Sequence, residues 1–186
     1  ILIEEDIKPL EPVEQSVGVD VGLKSFVVLS TGESVANPKY YAKSEKKLAT
    51  LQRRHARKKK GSKNRDKARR KVAKLHAQIA AQRNDFQHKL STRLIRENQV
   101  VCVETLVVKN MVKNHCLAKA ISDVGWSEFI RQLEYKAIWY GRTLMKIDRW
   151  FPSSKTCSAC GHLLETLTLD VREWTCPVCG VVHDRD

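Results

Sequence analysis

Ser16-Val17-Gly18-Val19-Asp20-Val21 alternates apolar residues with small or polar ones. A period of two is that of a β-strand with one face on a core. Val17, Val19 and Val21 share one face; Gly18, Asp20 and Gly22 share the other. A carboxylate within an apolar strand is costly to bury unpaired, so Asp20 is the first candidate for chemistry, although an edge-strand Asp bonded to a nearby base would show the same pattern. The two flanking glycines are expected to leave room beside it for something large. Phe26-Val27-Val28-Leu29 makes a second strand, Ser30-Thr31-Gly32-Glu33 a turn, and Ser34-Val35-Ala36 a returning third strand, so a meander is expected.

From Ser44 the period changes. Leu48 and Leu51 open a helical pattern, Gly61-Ser62-Lys63-Asn64 interrupts it, and Val72, Leu75, Ile79, Phe86, Leu90 and Leu94 resume it on one face. Residues 44–97 are therefore expected to form a helical hairpin. Val100-Val101-Cys102-Val103-Glu104 is nearly all apolar, which predicts a strand buried on both faces, with Cys102 a small buried hydrophobe and Glu104 a second strand-end acid. Residues 109–120 look like a loop. Trp126, Ile130, Leu133, Ala137 and Tyr140 mark a helix that stops at Gly141, and residues 143–147 a further strand.

The net charge of +13 is unevenly placed. Residues 43–71 carry fifteen Lys or Arg against Glu45 and Asp66, while the remaining residues carry nineteen of each sign. Like charges three and four apart destabilise a helix unless something negative relieves them. A polyanion, nucleic acid, is the expected partner. The candidate contacts are Arg53, Arg54, Arg57, Lys58, Lys59, Lys60, Lys63, Arg65, Lys67, Arg69 and Arg70. No apolar run reaches membrane-spanning length and no secretory signal opens the chain. Neither a membrane nor a small-molecule substrate is expected as a partner. The chain opens on Ile1, so a piece of a longer protein is expected, with acidic residues 1–15 as a linker from a further domain.

Cys157, Cys160, Cys176 and Cys179 form a C-x₂-C-x₁₅-C-x₂-C pattern with a glycine after each pair. That spacing is that of a structural zinc site, and four thiolates close the coordination sphere without His162 or His183. Zinc knuckles in a basic chain also argue for a reducing compartment over disulfides. Cys116 has no partner at ligand spacing and is given no role.

Asp184 and Asp186 follow the second knuckle and supply a third acidic candidate, left open between the two. Asp20, Glu104 and one of these would make a carboxylate cluster on a mixed sheet. Such oxygen-rich sites suit two Mg²⁺ ions, which stabilise the attacking and leaving oxygens of an in-line phosphodiester displacement. Asp148 is weighed as a ligand but expected to pair with Arg149; Asp123 is expected to cap a following helix or sit in its first turn, and Asp170 to be solvated.

These residues resemble the transposon-encoded TnpB/OrfB family of RNA-guided nucleases, related to type V CRISPR effectors. The resemblance rests on Gly18-Val-Asp-Val-Gly22, Arg57-Lys-Lys-Lys-Gly-Ser-Lys-Asn64, Val103-Glu-Thr-Leu106, Ala120-Ile-Ser-Asp-Val-Gly-Trp126, Phe151-Pro-Ser-Ser-Lys-Thr-Cys157, Cys176-Pro-Val-Cys-Gly180 and His183-Asp-Arg-Asp186. It implies an α/β fold: an RNase H-like, RuvC-type mixed sheet over 16–149, a zinc ribbon over 150–182, and the start of the last RuvC motif at 183–186. It implies Asp20, Glu104 and Asp186 as the catalytic triad, because the family's metal-binding acid directly precedes an x-Asn-Ala-Ala segment, which selects Asp186 over Asp184. It implies guide RNA and target DNA as partners, Zn²⁺ and Mg²⁺ as cofactors, and a prokaryotic cytosol or nucleoid. In this resemblance the chain is the core of a Mg²⁺-dependent DNA endonuclease of the transposase OrfB class, tied to DNA recombination. The competing expectation is a catalytically incomplete nucleic-acid-binding fragment or a domesticated DNA-binding regulator.

Overall fold

Residues 6–168 and 170–184 are described by the structure, a computed structural model. They fall into two units, divided between Ile147 and Asp148.

In the first unit, alternation drives the sheet. Strand β1 (Ser16–Val21) pairs antiparallel with β2 (Ser25–Leu29), and β2 with β3 (Ser34–Ala36). The chain then leaves through helices α1 (Tyr40–Ala56) and α2 (Lys63–Glu97). It returns as β4 (Val100–Glu104), parallel to β1, and after α3 (Val108–Met111), α4 (Ala118–Val124) and α5 (Trp126–Tyr140) adds β5 (Thr143–Ile147) parallel to β4. The five-stranded mixed sheet has the order β3-β2-β1-β4-β5.

The core lies on one face of that sheet. Val17, Val19, Val101 and Val103 are buried there with Leu90, Leu94 and Ile95 of α2 and Phe129, Leu133 and Ala137 of α5. Phe26 joins them, its ring edge-on to Phe86 at 4.9 Å and to Phe129 at 5.0 Å. Each Val, Leu, Ile or Phe among them contributes about 1.5–3 kcal/mol by leaving water. The opposite face is wetter than the sequence suggests: Val100, Cys102 and Glu104 are only half-buried, and Val28 and Met145 are 41% and 54% exposed. Strand β4 is thus buried on one face, and Cys102 is not a core residue.

The helical hairpin has its own small core of Leu48, Leu75 and Ile79, packed by Tyr40, Tyr41, Leu51 and Val72. Helix α1 starts at Tyr40 rather than Ser44 because its end is capped from a distance. Asp123 does not cap the helix that follows it; its carboxylate accepts the N–H groups of Tyr41 at 3.0 Å and Ala42 at 3.3 Å. The stretch 109–120, expected as a loop, contains all but the first residue of α3 and the start of α4. Ile121 and Val124 bury this short segment, too few anchors to register as a helical period.

The second unit is built on two matching turns. Cys157 N–H donates to the His162 carbonyl and Gly161 N–H to that of Cys157; Cys176 N–H donates to Val181 and Gly180 N–H to Cys176. Gly161 and Gly180 have φ of 73° and 72°, a left-handed conformation that glycine adopts without strain. Strands β6 (Glu173–Thr175) and β7 (Val182–Asp184) pair antiparallel beyond them. Cys157, Cys176 and Trp174 are buried with Leu164, Leu167 and Val171 packed against them.

Candidate metal centres and nucleic-acid interface

Asp20 and Glu104 are positioned by the β1–β4 ladder. Its register runs Ser16↔Val100, Val17↔Val101, Gly18↔Cys102 and Val19↔Val103. The next residue on each strand is the acid, so the two carboxylates stand at one level of neighbouring strands. Alternation puts both on the face opposite the valine core. Asp20 is exposed and Glu104 half-buried. Two oxygen donors held side by side are the kind of set a hard divalent cation takes. Of the two glycines beside Asp20, Gly22 serves another purpose than the one expected. Gly18 N–H donates to Ser30 Oγ at 3.0 Å, and a Cβ on Gly18 would sit 3.4 Å from that of Ser30. A Cβ on Gly22 would meet the Ser25 carbonyl at 3.1 Å. The contact at 18 is an ordinary one, whereas at 22 a side chain would crowd the Ser25 carbonyl, so Gly22 is the glycine that lets the hairpin close.

Asp184 lies on β7, exposed; Asp186 lies outside the described residues. Asp148 accepts the Trp150 N–H at 2.8 Å, while the Arg149 guanidinium stacks on the Trp150 ring at 4.3 Å instead of pairing as expected.

The four cysteines of the second unit, Cys157, Cys160, Cys176 and Cys179, converge, with all sulfurs within 4.8 Å of one another. Cys157 and Cys179 are 3.5 Å apart and Cys160 and Cys176 3.6 Å, and no disulfide joins them. A tetrahedral ion with metal–sulfur bonds of about 2.3 Å needs sulfur–sulfur edges of about 3.8 Å, so the set fits such an ion. The electrostatics agree. Burial opposes ionisation of Cys157, but the backbone N–H groups of Cys160 and Ala159, with Cys179 and His183, bring its pKa down to about 5. Cys160 moves the other way: a backbone N–H from His162 favours its thiolate, but burial and the sulfurs of Cys157, Cys176 and Cys179 push it up to about 12. Without a cation the four sulfurs cannot all carry charge; a divalent ion removes that conflict.

His183 is the residue whose place the sequence concealed. Its Nε2 is 3.0 Å from Cys157 Sγ, and its ring lies 4.6 Å from that of Trp174. Only the proximity of His183 to the second knuckle along the chain hinted at this.

The basic hairpin exposes nearly every candidate contact: Arg53, Arg54, Arg57, Lys58, Lys59, Lys60, Lys63, Lys67, Arg69 and Arg70. Arg65 differs. It is half-buried and its Nη1 donates to the Lys58 carbonyl at 3.1 Å, closing the turn between α1 and α2 that Ser62 caps. Both acids of the stretch are already engaged, Glu45 by Lys119 and Asp66 by Arg69. Between the helices lies a groove of about 320 Å³ lined by Leu51, Arg54, Lys58, Asn64, Lys67, Ala68 and Lys71. Four of those seven side chains are cations, which makes the groove a place for phosphate oxygens.

No described helix is long and apolar enough to cross a membrane.

A family model described as "Probable transposase" (OrfB_IS605) matches residues 1–115, and one described as "Cas12f1-like, TNB domain" matches residues 126–186. A "Putative RNA-guided DNA endonuclease" of Streptomyces pristinaespiralis is 56% identical over 186 residues, covering 100% of this chain and 46% of that protein. "Putative RNA-guided DNA endonuclease InsQ" of Escherichia coli (strain K12) is 33% identical over 193 residues, covering 96% of this chain and 48% of its own. The chain spans about half the length of these relatives. Among solved structures, the Cas12f1–sgRNA–target DNA complex contains a chain that superposes with a TM-score of 0.57 at 18% identity, over 91% of this chain and 46% of that one. The CRISPR-Cas12f ternary complex does so with 0.60 at 20%, over 95% and 39%. At those identities the likeness is one of fold.

Proposed function

The chain belongs to the OrfB_IS605 family, and from that premise we propose that it is the core of a Mg²⁺-dependent, RNA-guided DNA endonuclease of transposon origin. The carrying observation is the ladder that sets Asp20 and Glu104 side by side on an open sheet face. Two carboxylates at one level of neighbouring strands offer the oxygen donors that a hard divalent cation takes. The sheet order β3-β2-β1-β4-β5, with two antiparallel and two parallel pairings, supports an RNase H-like, RuvC-type domain.

Asp20 and Glu104 are the first two acids of the proposed triad and Asp186 the third, with Asp184 as its alternative. Divalent cations held by these acids would supply the positive charge that an in-line displacement at phosphorus requires. The residues of the chain do the rest. The acids fix where that charge sits, and the hairpin cations hold the polyanion by its phosphates. The thiolates of Cys157, Cys160, Cys176 and Cys179 hold a structural Zn²⁺. Guide RNA and target DNA are the proposed ligands of the full-length protein, with base pairing reading the sequence and the protein reading backbone. The printed names of the relatives support this reading.

The test uses the full-length protein copurified with its RNA. Mg²⁺-dependent cutting of matched DNA is expected for the wild type and not for Asp20→Ala. Equal cutting by both would reject the assignment. Retained binding by a wild type that never cuts would favour the DNA-binding regulator.

A further inference from the structure

His183 does more than sit near the cysteines. It pairs with Trp174 across β6 and β7, which presses its ring against the buried Trp174 indole at 4.6 Å and an interplanar angle of 37°. The same placement aims Nε2 at Cys157 Sγ, 3.0 Å away, and Cys157 is 1% exposed. The His183 nitrogens are not part of the set of four mutually close sulfurs. A nitrogen in contact with one sulfur but outside the tetrahedron is a donor to a ligand rather than a ligand.

We propose that His183 is a positioning residue for the cysteine-bound metal: its Nε2–H donates to the Cys157 thiolate and ties β7 to the first knuckle. This rests on the reading of the cysteine cluster as a zinc site. Four thiolates around a divalent ion carry a net charge of about −2. In a buried site each N–H donor to sulfur spreads that charge and fixes the ligand's orientation. Mechanically, β7 is held to β6 by three register pairs, and it emerges from the second knuckle alone. The His183–Cys157 bond adds a tie to the first knuckle, so both halves of the cluster hold the strand that carries Asp184 and leads to the third acid.

The experiment compares full-length wild-type protein with His183→Phe and His183→Gln. The Phe variant keeps a ring for Trp174 but has no donor; the Gln variant restores an N–H. The readouts are metal per chain, the rate of metal loss to a chelator, and the electronic spectrum of the Co²⁺-substituted protein. The expected result is one metal per chain and an unchanged four-thiolate Co²⁺ spectrum in every form. His183→Phe should lose metal about 10–100-fold faster, and His183→Gln should recover part of that loss. Equal rates for wild type and His183→Phe overturn the proposal. So does a shifted Co²⁺ ligand-field spectrum in His183→Phe, which would make His183 a ligand. Should His183→Phe hold no metal, His183→Gln decides: retention supports the donor role, and equal failure overturns it. A wild type without metal overturns the zinc reading itself, an outcome distinct from a loaded wild type indifferent to His183.

Discussion

Asp20 and Glu104 stand one step beyond the Val19–Val103 pair of the parallel β1–β4 ladder, on the face turned away from the valines. The same two strands thus carry core on one side and acid on the other. Asp20→Ala and Glu104→Gln should each lower Mg²⁺-dependent cleavage by the full-length protein about 100-fold or more, since losing a metal-holding group removes several kcal/mol of transition-state stabilisation. The melting temperatures of the same variants should change far less than their activity. A fall in both melting temperature and activity would mean the acids are structural.

The basic groove gives a salt-dependent signature. Arg54, Lys58, Lys67 and Lys71 line it together. Lys58→Ala with Lys67→Ala should weaken binding to any sequence alike and flatten the plot of log K against log salt by about 0.9 per lost duplex phosphate contact. Arg65→Ala should behave differently, because Arg65 closes the turn onto the Lys58 carbonyl. It should loosen the hairpin, seen as faster amide exchange around Ser62, more than it changes the salt slope.

Local pattern and long-range placement divide what was legible in the sequence from what was not. β1 was legible from its alternation and β2 and β4 from short apolar runs, both properties of neighbouring residues, and α5 because five apolar positions recur before a glycine stop. The acids were visible as strand-end carboxylates, but their common level depends on a register set by a crossover through α1 and α2. Gly22 misled because the Ser25 carbonyl lies against it across the turn. Asp123 misled because its partners Tyr41 and Ala42 lie 82 and 81 residues away. His183 and Cys157 meet 26 residues apart, a contact no spacing rule encodes.

Asp123 carries the next prediction. It is the cap of α1, accepting from Tyr41 and Ala42. Asp123→Ala should cost about 1 kcal/mol, the usual worth of a helix cap. The loss should appear first as exchange of the α1 amides, leaving α5 protected. A uniform loss through the sheet would show that Asp123 holds α4 instead.

The cysteine cluster predicts a paired loss. Cys176→Ser removes one of four sulfurs and the knuckle that precedes β7. Zinc content should fall toward zero. Cleavage should fall with it if the knuckle orients the third acid. Zinc loss with wild-type cleavage would separate the ribbon from catalysis.

Lys136 gives the stability of the first unit an alkaline signature. It is 5% exposed, its Nζ donating to the His88 carbonyl, Ser91 Oγ and Thr92 Oγ1. Burial lowers its pKa from 10.5 to about 8. The neighbouring His88 is also lowered, first by burial and then by the Lys136 charge, and the Tyr135 ring lies 6.0 Å from Nζ. The folded pKa of Lys136 lies below the unfolded one, so between the two the unfolded chain binds more protons and stability rises with pH. The contribution is flat below about pH 8, grows from there to about pH 10.5, and is at most roughly 3 kcal/mol at 1.36 kcal/mol per unit. Lys136→Met should remove it. Denaturant titrations from pH 7 to 10.5 should show the wild type gaining on the variant across that window, and parallel curves would show that the three oxygen acceptors fully offset the burial of the ammonium.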